Sequence, residues 1–312
     1  MHLEVWQWAF ASVAVGGVLY LVSALFIPES PRYLMSRGRI NEARAVLTRT
    51  LGPVSADERI VAIAASFRNA RRPRFSDVLN SRRTNIKRIV WVGIGLAALQ
   101  QLVGINAIFY YSTTIWATLG FGEQQALQQT LILTAVKVVA IICGILLVDR
   151  VGRRPLLLTG SILMSAALVV TAFIMLTAPR GASGNPDLHD SKGLAVLALV
   201  AMCAYVFAYA GTWGPIMWVL VGEMFPNQIR GAATSIAGSA EWTANYAVTL
   251  TFPVLAAWSI GTTYAMYAVF ALISIPFVLR LVPETKGREL EEMDALEAQP
   301  PQTSTPALTP VN

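Results

Sequence analysis

Seven apolar segments of about 20 or more residues run through the 312-residue chain, and they restrict its fold more than any other feature. A helix needs about 20 apolar residues to cross roughly 30 Å of hydrocarbon, and lipid admits only helices and closed barrels as spanning structures. The segments lack the alternation of barrel strands. With 55% hydrophobic and 13% charged residues, the sequence predicts an all-α membrane protein. The predicted spans are 6–27, 89–118, 128–148, 155–178, 194–221, 231–257 and 260–282.

Basic residues lie mainly on one side of these spans. Of the 24 Lys and Arg residues, 14 fall in the segment 32–88, whereas the loops predicted for the opposite side hold only Arg180 and Lys192. Because basic residues in short loops stay in the cytoplasm, we expect a multi-pass cell-membrane protein with its N-terminus outside and its C-terminus in the cytoplasm. The net charge of +6 then reflects membrane topology and does not indicate a nucleic-acid partner.

The chain is predicted to contain four regions. They are a first transmembrane span (1–27), a cytoplasmic loop with short helices (28–88), a six-helix transmembrane bundle (89–282) and a cytoplasmic tail (283–312). Within the loop, Gly52 is predicted to end one helix, and Ser55 with Glu58 has the capping-box spacing that would begin the next. The tail after Met293 is rich in Pro and Thr and is predicted to be disordered.

Residues typical of metal centres and catalytic sites are sparse. Cys143 and Cys203 fall within predicted spans, and the two histidines, His2 and His189, stand apart near a span end and in a loop. No cluster of His, Cys and acidic residues has metal-ligand spacing, and no nucleophilic triad is evident. The sequence therefore predicts neither an enzyme nor a bound cofactor.

Six short motifs occur in a defined order along the chain. They are PESPRYL (28–34), QQLVGINAIFYY (100–111), DRVGRRP (149–155), GPIMW (214–218), GEMFPNQIRG (222–231) and PETKGREL (283–290). In this order and spacing they resemble the sugar porter family of the major facilitator superfamily, over roughly residues 6–293. The resemblance is to the sixth through twelfth spans of that family. It implies a C-terminal six-helix bundle plus one preceding helix, with the first five spans missing.

The resemblance also implies a function. Members of this family carry a sugar, polyol or related hydroxylated solute by alternating access, with the solute held near the midplane between two six-helix bundles. The chain is expected to be a fragment of such a transporter, embedded in a lipid bilayer. Coupling to protons stays open, because the family's coupling acid lies in the missing first span. The alternative is a non-transporting remnant or a sugar-sensing module, although a sensor should carry a longer structured tail.

Polar side chains occur at one depth on three different spans. Gln101, Lys137 and Glu241 each lie about 16–19 Å from the cytoplasmic end of their helix, at a rise of about 1.5 Å per residue. An amide without partners costs a few kcal/mol in hydrocarbon, so such groups usually face a bundle interior or a wet cavity. This shared level predicts a site near the bilayer centre.

Three amides in the second span, Gln100, Gln101 and Asn106, are the main candidates for substrate binding. An amide donates and accepts hydrogen bonds, which suits sugar hydroxyls that do both, and the resemblance implies that the matching amides contact the sugar. The alternative is that these amides join neighbouring helices. Trp218 and Trp242 match family positions that flank the sugar. The alternative is ordinary packing or, for Trp218, an interfacial belt residue, since Trp242 lies too deep for a belt.

Lys137 and Glu241 depart from the family pattern, which commonly has Asn at the first position and Gln or Asn at the second. One hypothesis is a buried ion pair in which the two charges neutralise each other. The other is a substrate role, in which Lys137 would receive the carboxylate of a sugar acid or of a cyclic acid such as quinate. Asn245, which shares a helix face with Glu241, is a further candidate.

The resemblance matches Tyr110 and Tyr111 to the outer gate of the family. Gly104, Gly214 and Pro215 would let two spans bend near the site, because proline removes a backbone hydrogen bond and glycine relaxes the backbone. Charged residues at inner helix ends would latch the two bundles in the outward-facing state and separate as the bundles rock inward, with simple topological anchoring as the alternative. The latch candidates are Glu29, Arg32, Asp149, Arg153, Arg154, Glu223, Arg230 and Glu284.

Overall fold

The computed structural model describes residues 5–68, 75–79, 86–181, 186–188, 191–226 and 228–286. The named elements of these ranges are all helical, which confirms the predicted all-α class. The chain divides between Arg72 and Pro73 into two compact units. Residues 287–312, which contain the predicted disordered tail, lie outside the described residues.

The first unit covers the first predicted span and the loop that follows it. Its helices are α1 (Val5–Leu25), α2 (Pro31–Ser36), α3 (Ile40–Leu51) and α4 (Pro53–Arg68), and a small core consists of Leu47, Ala56 and Ile60. Gly52 follows the end of α3 with a φ of +84°, in agreement with the predicted helix end. The next helix begins at Pro53, because proline suits the first helical turn. Ser55 therefore lies inside α4, and the predicted capping box is wrong.

The second unit contains the membrane bundle. Its helices are α5 (Arg88–Leu102), α6 (Ile105–Tyr110), α7 (Ser112–Thr118), α8 (Glu123–Val151), α9 (Arg153–Thr177), α10 (Lys192–Ala208), α11 (Gly214–Met224) and α12 (Arg230–Leu281). A π-turn, Tyr209–Trp213, joins α10 to α11. Five helical segments of the described residues are long and apolar enough to cross a membrane: α5 with α6, α8, α9, α10 through α11, and α12.

The fifth segment, α12, provides two crossings because the chain reverses within it. Its 52 residues are interrupted by Ser259, whose backbone is extended with a φ of −165° and a ψ of 111°. In the half before Ser259, residue numbers on the α5–α6 segment increase along α12, since Glu241 contacts Gln101 and Asn245 contacts Asn106. In the half after Ser259 they decrease, since Tyr267 lies against Gly104 and Phe277 against Gly95. The predicted spans 231–257 and 260–282 therefore correspond to the two halves of α12.

The π-turn is packed against glycines of two neighbouring helices. Pro215 cannot donate the N–H group that would bond to the carbonyl of Gly211 in a regular helix. This carbonyl oxygen approaches α8 so closely that a Cβ built on Gly144 would lie 2.3 Å from it. On α9, a Cβ at Gly160 would lie 1.9 Å from Oγ1 of Thr212. The break between α10 and α11 thus depends on two positions that admit no side chain.

Candidate substrate-binding site

Three amide side chains form a hydrogen-bonded chain where α5 gives way to α6. The two helices are separated by Gly104, which has a left-handed backbone with a φ of +85°. The Nε2 of Gln101 lies 3.5 Å from the Oε1 of Gln100, and the Nδ2 of Asn106 donates to the Oε1 of Gln101 at 2.8 Å. The bond between Asn106 and Gln101 therefore spans the break in the helix.

The first half of α12 completes this polar cluster. Glu241 and Asn245 are each only 9% exposed. The Nε2 of Gln101 donates to the Oε1 of Glu241 at 2.9 Å, and the Nδ2 of Asn106 donates to the Oδ1 of Asn245 at 3.1 Å. Thr249 adds a hydroxyl, which donates to the same Asn245 oxygen at 3.2 Å. The structure therefore brings together candidates from α5, α6 and α12.

Gln100 contacts the backbone of another helix. Its Nε2 donates to the carbonyl oxygens of Trp213 and Gly214, at 3.1 Å each. The Gln100 side chain is buried, and its hydrogen bonds connect α5 to the chain where the π-turn ends and α11 begins. This contact matches the helix-joining alternative for Gln100 and leaves Gln101 and Asn106 as the amides at the centre of the cluster.

Lys137 and Glu241 do not form the hypothesised ion pair. The Nζ of Lys137 lies 4.4 Å from the centroid of the Phe109 ring, in a cation–π contact. The Oε1 of Glu241 is occupied by Gln101, and the Oε2 of Glu241 is buried with no hydrogen-bond partner in the described part of the chain. The ion-pair hypothesis is wrong for this structure because each side chain has a different neighbour. A buried carboxyl oxygen of this kind requires a donor or a proton.

The two candidate tryptophans are placed differently. Trp218 is 42% exposed, and its ring edge would lie 3.6 Å from a Cβ at Gly238, one turn before Glu241 on α12. Trp242 is 67% exposed and lies on the face of α12 next to that of Glu241, since adjacent helical residues point about 100° apart. The structure does not bring Trp242 into the buried cluster, and it does not support the packing alternative for this residue.

Of the two predicted gate tyrosines, Tyr111 contacts α12. Its ring stacks on Phe252 with a centroid distance of 5.0 Å, and its hydroxyl donates to the carbonyl of Thr249 at 3.5 Å. Both rings line an apolar cavity of about 460 Å³ that also includes Ile260. Tyr110 is 62% exposed. A line of contacts therefore leads from the polar cluster along α12 to Tyr111.

Several of the predicted latch residues form a network inside the second unit. Arg153 donates from Nε and Nη2 to both carboxylate oxygens of Glu223, at 3.1 and 2.9 Å, and its Nη2 lies 3.2 Å from Asp149. The carboxylate of Glu284 accepts the backbone N–H groups of Arg153 and Arg154, at 3.1 and 3.0 Å. Because these residues open α9, the carboxylate lies at the positive end of the helix dipole.

The environment of Glu284 favours its ionised form. Burial alone raises the pKa of this carboxyl. Hydrogen bonds from four backbone N–H groups lower the pKa by a larger amount, so it lies below its ordinary value; the donors are Lys286, Arg153, Arg154 and Thr285. The network joins α9, α11 and the end of α12. It thereby stabilises the end of the bundle at which α9 begins.

The remaining latch candidates lie elsewhere. The guanidinium group of Arg230 donates to the carbonyl of Phe225 at 3.1 and 2.9 Å. Glu29 and Arg32 belong to the first unit. The eight candidates therefore do not form one cluster within either unit, and a latch between two bundles stays a prediction.

Sequence reasoning missed two aromatic residues that position the site. The hydroxyl of Tyr205 donates to the carbonyl of Val103, at the break between α5 and α6, at 2.8 Å. The indole Nε1 of Trp213 lies within hydrogen-bonding distance of the carbonyl of Leu157 and the hydroxyl of Ser161, at 3.0 and 3.1 Å. A polar tip on an apolar span is the signal that could have indicated both residues.

The chemistry of the cluster is that of binding. Its amides and hydroxyl donate and accept hydrogen bonds without forming covalent intermediates. Within the described ranges, no group of three His, Cys, Asp or Glu residues is arranged to hold a metal ion. The cluster therefore offers hydrogen-bond donors and acceptors from amides and a hydroxyl, together with the carboxyl group of Glu241.

Comparisons with known proteins agree on one family. The family described as "Sugar (and other) transporter" matches residues 2–296. The chain is 43% identical to the glucose transport protein of Synechocystis sp. over 289 residues, which cover 92% of this chain and 61% of that protein. It is 33% identical to the D-xylose-proton symporter of Escherichia coli K12 over 303 residues, which cover 95% of this chain and 58% of that protein.

A solved structure shows the same fold. It is that of the major facilitator proton:xylose symporter XylE bound to 6-bromo-6-deoxy-D-glucose, with a TM-score of 0.74 and 33% sequence identity. The similarity covers 93% of this chain and 59% of the symporter. The chain thus spans about three fifths of the length of the relatives it matches.

Proposed function

The chain belongs to the sugar transporter family of the major facilitator superfamily, and on this basis we propose that it carries a sugar or polyol across the membrane by alternating access. This is a family of transporters and not of enzymes. In this architecture the solute is held near the bilayer centre and is exposed to one side at a time. The protein is accordingly a membrane protein, and its cargo is a small hydroxylated molecule.

The observation that carries this proposal is the polar cluster of Gln101, Asn106, Glu241 and Asn245. Its members come from three helices and bond to one another at 2.8–3.1 Å. A solute hydroxyl can replace such a bond because it supplies both a donor and an acceptor. The exchange of one hydrogen bond for another has a small net cost, which suits a site that must bind and then release. The partly exposed ring of Trp218 would cover an apolar face of the sugar.

We include protons in the proposal. A relative of 33% identity is named as a proton symporter, and the buried Oε2 of Glu241 is an oxygen of this chain that a proton could occupy. Facilitated transport without protons is the alternative. A sugar acid is the second candidate cargo, because Lys137 is not neutralised by Glu241 and its Nζ lies over the Phe109 ring.

The orientation is also proposed from the charge distribution. The N-terminus lies outside and the C-terminus in the cytoplasm, since 14 of the 24 basic residues fall in the segment 32–88. A tag fused after Asn312 should be accessible to antibody only in permeabilised cells. Access in intact cells would overturn this orientation.

Uptake by the purified protein in proteoliposomes tests the function. Radiolabelled D-glucose and D-xylose should enter in a saturable manner, faster with an inward proton gradient than without one. The Gln101→Ala variant should lose roughly ten- to hundredfold in apparent affinity, since it leaves two cluster members without their partner. Gln124→Ala, which removes an exposed amide at the start of α8, is the matched control and should behave as wild type.

The same preparation separates the alternatives. Binding of a sugar without uptake would favour the non-transporting or sensing module, and absence of both would refute the proposal. D-gluconate and quinate are added as competitors of glucose uptake. If either acid competes better than unlabelled D-glucose, a sugar acid or cyclic acid replaces the neutral sugar as the preferred cargo.

A further inference from the structure

The apolar cavity beside Tyr111 lies outside the polar cluster, and a small sugar bound at the cluster would leave it empty. Its volume of about 460 Å³ falls within the range of ligand pockets in proteins. An apolar cavity of about 150 Å³ is already large enough to bind benzene. The cavity beside Tyr111 therefore has room for an aromatic ring or a short alkyl chain.

The lining of the cavity favours a hydrocarbon group. Ile115, Phe252, Pro253 and Ile260 contribute apolar surface. The hydroxyl of Thr118, which also lines the cavity, donates to the carbonyl of Ile115 at 2.8 Å and is thus already engaged. Water in such a cavity finds few hydrogen-bond partners, and its displacement by an apolar group increases affinity.

The cavity and the amides of the polar cluster lie along the same two helical segments. On α12, Asn245, Thr249 and Phe252 follow one another at helical spacing on one face, and Phe252 lies about 10 Å beyond Asn245 along the helix. On the other segment, Tyr111 comes five residues after Asn106. A substituent on a sugar held by Asn106 and Asn245 would therefore reach the cavity after a few bonds.

Tyr111 marks the boundary between the two environments. Its hydroxyl donates to the carbonyl of Thr249 at 3.5 Å, one helical turn from Asn245. Its ring stacks on Phe252 and lines the cavity. A tyrosine with its polar tip toward the amides and its ring toward hydrocarbon suits a ligand that is polar at one end and apolar at the other.

We propose that this cavity is a subsite for an apolar substituent of the cargo, so that the protein binds O-alkylated sugars such as alkyl glucosides. The sugar ring hydrogen-bonds to Asn106 and Asn245, and the alkyl group lies beside Tyr111 and Phe252. This inference deepens the proposed function and rests on it, because it places the sugar at the amides.

Binding to the purified protein in lipid nanodiscs, measured by scintillation proximity, tests the subsite without any need for transport. Methyl, butyl and hexyl β-D-glucosides form one series, and the corresponding 6-O-alkyl glucoses form a second. Two series are used because the amides do not determine which hydroxyl of the ring points toward the cavity. Each series is measured by competition against its own radiolabelled hexyl sugar.

Affinity should rise with chain length in at least one series. A fully buried methylene increases affinity about fourfold. Because Pro253 and Ala257 are exposed at the cavity, we expect about twofold per methylene, or about thirtyfold between the methyl and the hexyl sugar. 1-Hexanol, which lacks the sugar, should not displace the label.

Variants that fill the cavity provide the second readout. Ala256→Phe and Ala257→Phe each place a ring among the lining residues, and each should reduce the ratio of hexyl to methyl affinity to below about threefold. Ala247→Phe is the matched control. It adds the same ring to α12 at an exposed position about 200° around the helix from Asn245, and it should keep the wild-type ratio.

Three results would overturn the subsite. They are the absence of saturable binding or of a chain-length effect in both series, displacement of the label by 1-hexanol as effectively as by the hexyl sugar, and a wild-type ratio in both filling variants. Loss of the ratio in Ala247→Phe as well would also overturn it, since the effect would not depend on the cavity.

Failure of the subsite and failure of the proposed function give different results. Uptake of D-glucose in proteoliposomes without any chain-length effect on binding would refute the subsite and leave transport intact. Binding that depends on chain length, without uptake, would leave the subsite intact and refute transport.

Discussion

Replacement of Gly144 by Ala should destabilise the bundle even though alanine favours helices. Gly144 lies inside α8, where alanine would contribute about 1 kcal/mol of helix propensity. Its Cβ would lie 2.3 Å from the carbonyl oxygen of Gly211 and 2.9 Å from the carbonyl carbon. These are backbone atoms of the π-turn, so α8 and the turn would have to separate by about 1 Å to reach ordinary packing distance. Overpacking of this kind costs up to about 3 kcal/mol, which leaves a net loss of about 2 kcal/mol.

Thermal unfolding of the purified protein in detergent micelles measures this loss. For a unit of this size, about 2 kcal/mol corresponds to a melting temperature roughly 4–8 °C lower than that of wild type. Gly222→Ala is the matched control, because a Cβ at this helical position of α11 meets nothing within 4 Å. The control should melt at or above the wild-type temperature. If Gly144→Ala melts as high as Gly222→Ala, the close approach of the π-turn to α8 is refuted.

Two further predictions concern ionisable groups. Glu241→Gln should preserve sugar uptake, because a glutamine oxygen can still accept a hydrogen bond from Gln101. The same variant should abolish the dependence of uptake on the proton gradient. An unchanged gradient dependence in proteoliposomes would exclude Glu241 as the proton site. Glu284→Gln should lower the melting temperature at pH 7, because the lowered pKa of Glu284 makes its carboxylate stabilising above its ordinary pKa of about 4.3. That difference should shrink as the pH falls from the ordinary pKa through the lowered pKa of Glu284, where the wild-type carboxylate is protonated. Equal melting temperatures of the two proteins at pH 7 would contradict the capping of α9 by Glu284.

The positions of the membrane helices could be predicted because the length of an apolar segment is a local property. Even the two spans within the 52-residue α12 follow from the sequence, since the predicted gap at 258–259 contains Ser259, where the chain reverses. The amides of the cluster could be predicted in a similar way. Gln101 and Glu241 lie at one distance from the ends of their helices, and in the structure they are hydrogen-bonded.

Depth along a helix does not determine which way a side chain points. Lys137 lies at the same predicted level as Glu241, yet its flexible side chain reaches Phe109. Trp242 follows Glu241 directly, yet the rotation of about 100° between adjacent residues leaves it exposed. The ion-pair hypothesis and the packing alternative for Trp242 failed for this reason.

The break between α10 and α11 depends on tertiary contacts. Gly214 and Pro215 indicate that a bend is possible there, but the π-turn also requires the close approach of Gly144 and Gly160 from two other helices. Those glycines have no distinguishing pattern of their own in the sequence. The polar tip of Tyr205 could have indicated a buried hydrogen bond, but its partner could not be predicted, because the carbonyl it bonds to lies 102 positions earlier in the chain.

The reversal at Ser259 has a practical consequence for topology mapping. Its hydroxyl accepts the N–H of Thr262 at 3.2 Å, so the second helical half begins immediately after the turn. The two helical halves are joined by this turn alone, with no longer connecting loop, so a protease or a glycosyltransferase that needs an extended segment would find little chain to act on at this hairpin. Reporter insertions there would disrupt helix ends, so an experiment that relies on loop accessibility would undercount the crossings by two.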